Sequence, residues 1–507
     1  MARIDLTRRG FLRLAAVGLG STVLAACQPK IVEVTKLVQE TVQVEKQVTT
    51  VVEKEVTKVV EKRVEVTKVV EKEKEVQKIV TATPVAPPDI EKLKAPALKA
   101  APATPVHLTM WDAWGRTVYF GREPIQESVD AWNQANPNVT CEYLPGLAEI
   151  QAKILTSVAS GDPPNLVIVS LPTQYAYRGV LTKLDDYLAL GGSEFLKDEM
   201  YPGCWSSQIV GGQIYSIAWN TNNGCLFYNA DLFKAAGLDP DQPPKTIDEL
   251  TSMADKLTVK KSDGTLTQLG FVPWFNIAGI FGTWASAFGT QLWDEAARKI
   301  KFDDPKSIES LKWQVSFATK YGYDKIAAFN DSLAGQDPLG SGKLAILFTG
   351  PWMLNAYRSD YPAINWRTVA PPVAPGGPKG GTWLGGRWVA IPKGAKNADL
   401  TWEFNKFFSG RASQKLYGVL TTNFSVFIKD NDNKWFNADK ELKTFVNDLP
   451  NCWPIPQIPT LDHAFFTALN PMIEEALRGK RTPEDAMKEA TRLAQDEVDK
   501  FFKTIGI

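Results

Sequence analysis

The sequence predicts an α/β protein from residue 106 onward, built around a parallel sheet. Three observations carry that prediction. Apolar runs too short for anything but strands alternate with stretches whose apolar residues recur at helical spacing. The order of these segments from His107 to Val169 is β-α-β-α-β, and strands joined through helices pair in parallel. All 16 Trp and 13 Tyr lie after residue 104, and before it Phe11 is the only aromatic, so the material for a core is confined to the later part of the chain. A chain of 507 residues implies two or three domains, because single cores stop growing at about 250 to 300 residues.

Each element has its own signature. His107-Leu108-Thr109-Met110-Trp111 reads as the first strand. Ile125, Val129 and Trp132 then fall at i, i+4 and i+7, one face of a helix that Asn136-Pro137 closes. Val139 to Tyr143 is a second strand, and Ile150, Ile154 and Val158 mark a second helix. Leu166-Val167-Ile168-Val169 has no polar residue and predicts a strand buried on both faces. Further on, Thr246 with Glu249 three residues later forms a capping box ahead of Leu250 and Leu257. Thr482-Pro483 starts the last helix, with proline at the first helical position.

The N-terminal fifth is different. Thr7-Arg8-Arg9-Gly10-Phe11-Leu12 precedes an apolar stretch ending in Leu24-Ala25-Ala26-Cys27. That stretch is shorter than the roughly 20 apolar residues a membrane-spanning helix needs, so it reads as a targeting segment. The paired arginines resemble a twin-arginine export signal and Leu-Ala-Ala-Cys resembles a lipoprotein cleavage box, which makes Cys27 the lipidation residue; the alternative is a free cysteine in a frayed helix. Residues 31 to 80 repeat one theme, as in Val51-Val52-Glu53-Lys54, Val59-Val60-Glu61-Lys62 and Val69-Val70-Glu71-Lys72. Opposite charges at i and i+4 favour a solvated helix, valine and threonine oppose it, and the ten-residue period fits neither heptad nor closed strand repeat. Coiled coil, lone helix and disordered stalk all stay open. Residues 81 to 105, with six prolines from Pro84 to Pro105, predict a stiff linker. The expected layout is therefore a signal over 1–27, then a stalk and linker over 28–105 that hold the folded part away from a membrane.

Composition excludes several functions. Lys+Arg 57 balances Asp+Glu 57, so no net field gathers phosphates and nucleic acid is not expected as a partner. His107 and His463 are the only histidines and stand apart, which gives no metal set, no triad and no cofactor. Asp430, Asp432 and Glu441 have the first, third and twelfth positions of a calcium loop, but Lys434 and Trp435 fill the fifth and sixth, where a ligand and a glycine belong. Gly376-Gly377-Pro378-Lys379-Gly380-Gly381 lacks the ending of a phosphate loop, and its proline removes a donor amide.

Four segments carry a family resemblance. They are Gly212-Gln213-Ile214-Tyr215 leading to Leu226-Phe227-Tyr228-Asn229-Ala230-Asp231-Leu232-Phe233-Lys234-Ala235-Ala236-Gly237; Pro244 to Leu250; Gly342-Lys343 followed by Gly350-Pro351-Trp352; and Gly385-Gly386 before Ala390-Ile391-Pro392-Lys393. In this order the chain from 106 to 507 resembles the bacterial extracellular solute-binding proteins of the maltose-binding type, receptors for ATP-driven importers. The resemblance implies a two-lobed periplasmic-binding-protein fold of type II, each lobe a sheet flanked by helices. The first lobe would be 106–220 plus 372–425 and the second 221–371 plus 426–507. It further implies a non-enzymatic lipoprotein outside the cytoplasm that captures a carbohydrate, an oligosaccharide given so many tryptophans, by hinge closure and hands it to a membrane permease.

A sugar presents a face of C–H groups and an edge of hydroxyls, so its receptor needs aromatic platforms beside polar groups. Asp112, Trp114 and Arg116 leave the end of the first strand, where α/β sheets take ligands. Trp219, Asn220 and Asn222 lie at the expected hinge. Trp274 follows Pro273 in a loop, Trp352 sits in the Gly-Pro-Trp turn, Gly385-Gly386-Arg387 resembles a glycine turn facing ligand, and Trp453 is the last candidate. Trp132, Trp313 and Trp402 fall in helical patterns and are assigned to cores. Arg116 and Arg387 leave an acidic or phosphorylated sugar open, and either could instead make surface pairs. A tethered carbohydrate hydrolase or lyase is the competing reading; it needs two carboxylates about one bond, and Asp112 alone is placed in the cleft. Among Cys141, Cys204, Cys225 and Cys452, a Cys204–Cys225 disulfide is favoured over buried free thiols.

Overall fold

A computed structural model describes residues 90–116, 121–192, 195–275, 282–377 and 382–506. All of them belong to the larger of two compact units, Val80–Ile507. Cys27, the export signal and the repeat stalk lie outside the described residues.

Strand β1 (Val106–Asp112) leads through helix α1 (Pro124–Ala135) to β2 (Val139–Leu144), and α2 (Ile150–Ala159) returns the chain to β3 (Leu166–Val169). β1 pairs in parallel with both β2 and β3, the arrangement the alternation predicts. Ile125, Val129 and Trp132 are the buried face of α1, and Glu123 caps it by accepting from the Gln126 amide. α2 buries only Ile154 of its three apolar markers. A short helix α3 (Thr173–Tyr177) follows β3.

The chain next forms β4 (Ile217–Asn222), β5 (Cys225–Asn229), α4 (Ile247–Leu257), α5 (Gly282–Ala287), α6 (Pro305–Tyr321), β6 (Ile346–Thr349) and β7 (Trp366–Val369). β5 pairs antiparallel with β6 and β7 to make a three-stranded sheet. α4 carries the complete capping box: Thr246 accepts from the Glu249 amide and Glu249 accepts from the Thr246 amide. The last third supplies β8 (Trp383–Ala390), α7 (Ala398–Phe408), α8 (Arg411–Thr421), α9 (Lys440–Asp448), β9 (Trp453–Pro454) and α10 (Pro483–Ile505), which Thr482 caps as expected.

β8 completes the first sheet. It runs antiparallel to β3 and to β4 and parallel to β9, giving a six-stranded sheet in the order β9-β8-β3-β1-β2 with β4 also on β8. Gly385 and Gly386, expected in a turn, are therefore inside a strand, paired with Asn222 and Thr221. The irregularity lies one step later, where the register shifts between Arg387 and Trp388.

The chain leaves the larger sheet between β4 and β5 and returns between β7 and β8. Phe424 and Phe427 still bridge to Thr221 and Met200, whereas α9 packs on β7, where the Thr368 amide and hydroxyl donate to Glu441. Part of the Pro-rich run lies on the domain instead of standing free. Arg122 donates to the Ile90 carbonyl (3.0 Å), the Leu98 amide donates to Asn136 (2.8 Å), and Asn136 donates to the Pro96 carbonyl (3.0 Å).

Trp132 and Trp402 are buried, and Trp313 is half-buried against Trp284 at 5.0 Å between ring centroids. Cys141, Cys204, Cys225 and Cys452 are all free thiols, so the favoured Cys204–Cys225 disulfide is absent. Cys204 sits in a short helix and Cys225 in β5, separate elements that nearness in sequence does not bring into bonding geometry. Burial pushes the Cys204 thiol up to about 12, which leaves it a small apolar filler. Among the described residues no helix is long and apolar enough to cross a membrane, and no cluster of His, Cys, Asp and Glu is placed to hold a metal ion.

Candidate functional site

Two groups of expected site residues come together at the ends of the central strands. The first gathers where β1 ends. Asp112 is fully buried, accepting the Trp114 amide (3.0 Å) on one oxygen and the Tyr143 hydroxyl (2.9 Å) on the other. Arg387 Nη1 lies 3.6 Å from Asp112, and the guanidinium covers the Trp114 ring at 4.4 Å from its centroid and the Tyr417 ring at 5.8 Å. The Arg387 amide donates to Asn220 Oδ1 (2.8 Å), so Asn220, which is buried, sets the backbone from which the guanidinium extends. Burial pushes the Asp112 carboxyl above its ordinary value, opposed by Arg387, the Trp114 amide and the Tyr143 hydroxyl. Glu123 is raised too, again chiefly by burial, with the Gln126 amide and Arg116 opposing. Arg387 Nη1 and Glu123 Oε1 are buried atoms with no hydrogen-bond partner in the structure.

The second group gathers where β4, β8 and β9 meet the three-stranded sheet. Trp352 and Trp383 stack with centroids 6.5 Å apart and an interplanar angle of 21°. Trp383 is paired in register with Trp453, and its indole N–H donates to Thr283 Oγ1 (3.0 Å) at the start of α5. Asn222 donates to Asn423 Oδ1 (3.0 Å). Glycine is required on this strand: a Cβ on Gly386, where φ is +154°, would lie 2.2 Å from the Asn220 carbonyl oxygen. A Cβ on Gly385 would lie 2.6 Å from both Asn222 Oδ1 and the Trp383 ring. Trp352 and Trp453 are half-buried, whereas Trp383 is buried.

Several expected residues are placed otherwise. Trp219 is wholly buried, stacked on Phe408 at 4.9 Å with its N–H donating to the Phe408 carbonyl (3.0 Å), and it offers no face to a ligand. Asp112 and Asn220 are buried with their oxygens already engaged, so they position Arg387 and Trp114 and do not form a contact surface. Arg116 is exposed, donating to Gln126 (2.9 Å) beside the Tyr143 ring. Trp274 is half-buried and stacks on Tyr323 at 6.1 Å, in neither group.

The sequence reading missed Glu123, Tyr143, Trp383 and Asn423. Trp383 carried a usable signal: it stands two residues before Gly385 in a strand, hence on the same face. The others come from a helix start (Glu123), a neighbouring strand (Tyr143) and the chain just past a helix end (Asn423), which no local pattern ties to the site.

Residues 121–415 match the model of the family described as bacterial extracellular solute-binding protein. A probable ABC transporter-binding protein of Deinococcus radiodurans is 25% identical over 225 residues, 43% of this chain and 53% of that protein, so the match spans about half of that relative's length. A putative binding protein of Brucella abortus is 23% identical over 388 residues, 73% of this chain and 88% of its own length. Among solved structures, CpMnBP1 with mannotriose bound is 31% identical, covers 77% of this chain and 100% of that one, and superposes with a TM-score of 0.66. The maltose/maltodextrin-binding domain MalE of Bdellovibrio bacteriovorus bound to maltotriose, 18% identical over 78% of this chain and 100% of its own, shares the fold with a TM-score of 0.60. These likenesses show the two-lobed α/β fold of maltose-type binding proteins.

Proposed function

We infer the function from a fixed premise: this chain belongs to the bacterial extracellular solute-binding proteins, binding proteins of ABC importers and not enzymes. The hydrolase or lyase alternative is set aside on that ground. Within the family we assign this chain the capture of an oligosaccharide by hinge closure and its delivery to a membrane permease. The observation that carries the assignment is the Trp352–Trp383 stack beside Trp453, flanked by the Asn222 and Asn423 amides and the bare backbone of Gly385. Trp352, Trp453 and Asn222 are half-buried, so their indole faces suit the C–H face of a pyranose and the amide suits its hydroxyl edge, while the buried Trp383 and Asn423 hold them from behind. CpMnBP1, the matched structure of highest identity quoted above, holds mannotriose.

The six-stranded sheet and its helices form the first lobe in this reading, and the three-stranded sheet with α4, α6 and α10 forms the second. In this reading the third crossing follows Phe427, near the boundary at 425 that the sequence suggests, and β9 brings the chain back briefly to the larger sheet. Export through the twin-arginine route and anchoring through Cys27 complete the proposal, resting on the N-terminal motifs. Isothermal titration with mannotriose and maltotriose tests the ligand class; no heat and no thermal stabilisation by either, or by any longer neutral oligosaccharide, would sink it. Cys27→Ala tests the anchor: the protein should leave the membrane fraction, and retention there would overturn that part.

A further inference from the structure

We propose that Asp112 is a specificity-determining residue that makes the site select uncharged saccharides and reject anionic ones. The inference rests on the saccharide-binding reading above and deepens it.

Arg387 brings a guanidinium to the end of β1, and its Nη1 group makes no hydrogen bond within the described structure. A bare arginine of this kind would favour a carboxylate or phosphate, which it can grip with two N–H groups. Asp112 changes that. Its carboxylate lies 3.6 Å from Nη1, and it is wholly excluded from solvent, so water does little to screen the pair. Glu123 adds a second buried carboxyl whose Oε1 has no hydrogen-bond partner. Arg116, which also acts on Glu123, is exposed and engaged with Gln126, and Arg122 is paired with Glu127. An anion entering beside Arg387 therefore meets attraction from one guanidinium and repulsion from one or two carboxylates, while losing its own hydration. A neutral hydroxyl pays no such cost and can still accept from Arg387. Exclusion of the wrong ligand by a like charge is a common route to specificity.

The aromatic surroundings point the same way. The guanidinium lies over the rings of Trp114 and Tyr417, at 4.4 and 5.8 Å, and Tyr143 with the Trp114 amide holds the carboxylate. Moving Asp112 aside to let an anion take over its arginine would break both of these hydrogen bonds.

The test compares mannotriose with the mannuronic acid trisaccharide, which differs by a carboxylate at each C6. Titration calorimetry at constant ionic strength should show wild-type protein preferring mannotriose by at least about tenfold, the low end of what one nearby charge does to an ionisation equilibrium. Asp112→Asn keeps an oxygen for the Trp114 amide while removing the charge, and should raise affinity for the trisaccharide acid by at least about tenfold. Arg387→Gln should weaken mannotriose binding with no gain for the acid. Equal wild-type affinity for both trisaccharides, or no gain for the acid in folded Asp112→Asn, overturns the inference and leaves the assigned function standing. Should that variant fail to fold, the wild-type preference and Arg387→Gln decide alone. Wild-type protein that binds no saccharide at all overturns the function itself.

Discussion

Two tryptophans of similar appearance in the sequence do opposite work. Trp219 lies in Ile217–Asn222, whose residues are nearly all buried, so no alternation reveals which face each side chain takes. Packing decides it: Trp219 faces Phe408 and Tyr417. Trp352 follows Gly-Pro, and its ring folds back over Gly350, where a Cβ would come within 2.1 Å of it. Trp219→Ala should cost about 3 to 5 kcal/mol in chemical denaturation, as large core truncations do, whereas Trp352→Ala should leave the unfolding midpoint nearly unchanged and weaken mannotriose by tenfold or more. The reverse pattern would exchange their roles. Asp448 allows a pH test at the same scale. Burial raises its carboxyl above the ordinary 3.8, against Cys452, Asn451 and Asn223, which favour the ionised form. The folded state thus holds this proton more tightly than the unfolded state, and stability from this group falls as pH rises from 3.8 through the raised value. Relative to Asp448→Asn, wild-type protein should therefore gain melting temperature on acidification from about pH 7 to about pH 4.5; a constant or opposite difference would show that the carboxyl is not raised.

Elements were legible where chemistry is local. The apolar run of β3, the 125/129/132 face of α1 and both Thr caps are visible because a few neighbouring residues specify them. Thr246 is a clean case: Thr246→Ala removes the acceptor for the Glu249 amide and should cost about 1 kcal/mol in denaturant unfolding, with Thr246→Asn largely restoring it. Equal stability of all three proteins would mean that the box contributes nothing. β8 was not legible. Two adjacent glycines suggest a turn, yet here they let two neighbouring strands and the Trp383 ring come close, a requirement set by residues far away in sequence. The site shares this fate. Asp112, Trp114 and Arg387 could each be named, but their union depends on β8 lying beside β3, which lies beside β1, across more than 200 residues of chain. Which of these side chains keep an accessible face and which are sealed inside is set by burial, a property of the assembled sheet.

At the scale of the molecule, the proposed closure would be carried by contacts between the parts built on the two sheets. One such contact is well defined. Tyr177, at the end of α3 and so just beyond β3, meets the Phe502 ring of α10 edge-on at 5.3 Å and Phe501 at 6.4 Å, and Arg178 covers Phe501 at 4.8 Å. Nearby, Thr173 hydrogen-bonds Gln457. These residues leave the C-terminal end of a parallel strand, the side on which ligands enter such sheets, so hinge opening would part them. An edge-to-face aromatic pair contributes about 0.5 to 1.5 kcal/mol, and a ligand that binds only the closed form has its affinity scaled by the closed population. Tyr177→Ala removes a half-buried ring at the end of a short helix, so the fold should survive it. Its mannotriose affinity should fall by about two- to tenfold, with a larger radius of gyration in small-angle scattering of the unliganded protein and the same compact radius at saturation. Unchanged affinity with unchanged scattering would place this contact in both open and closed forms, and would move the closing energy to the ligand alone.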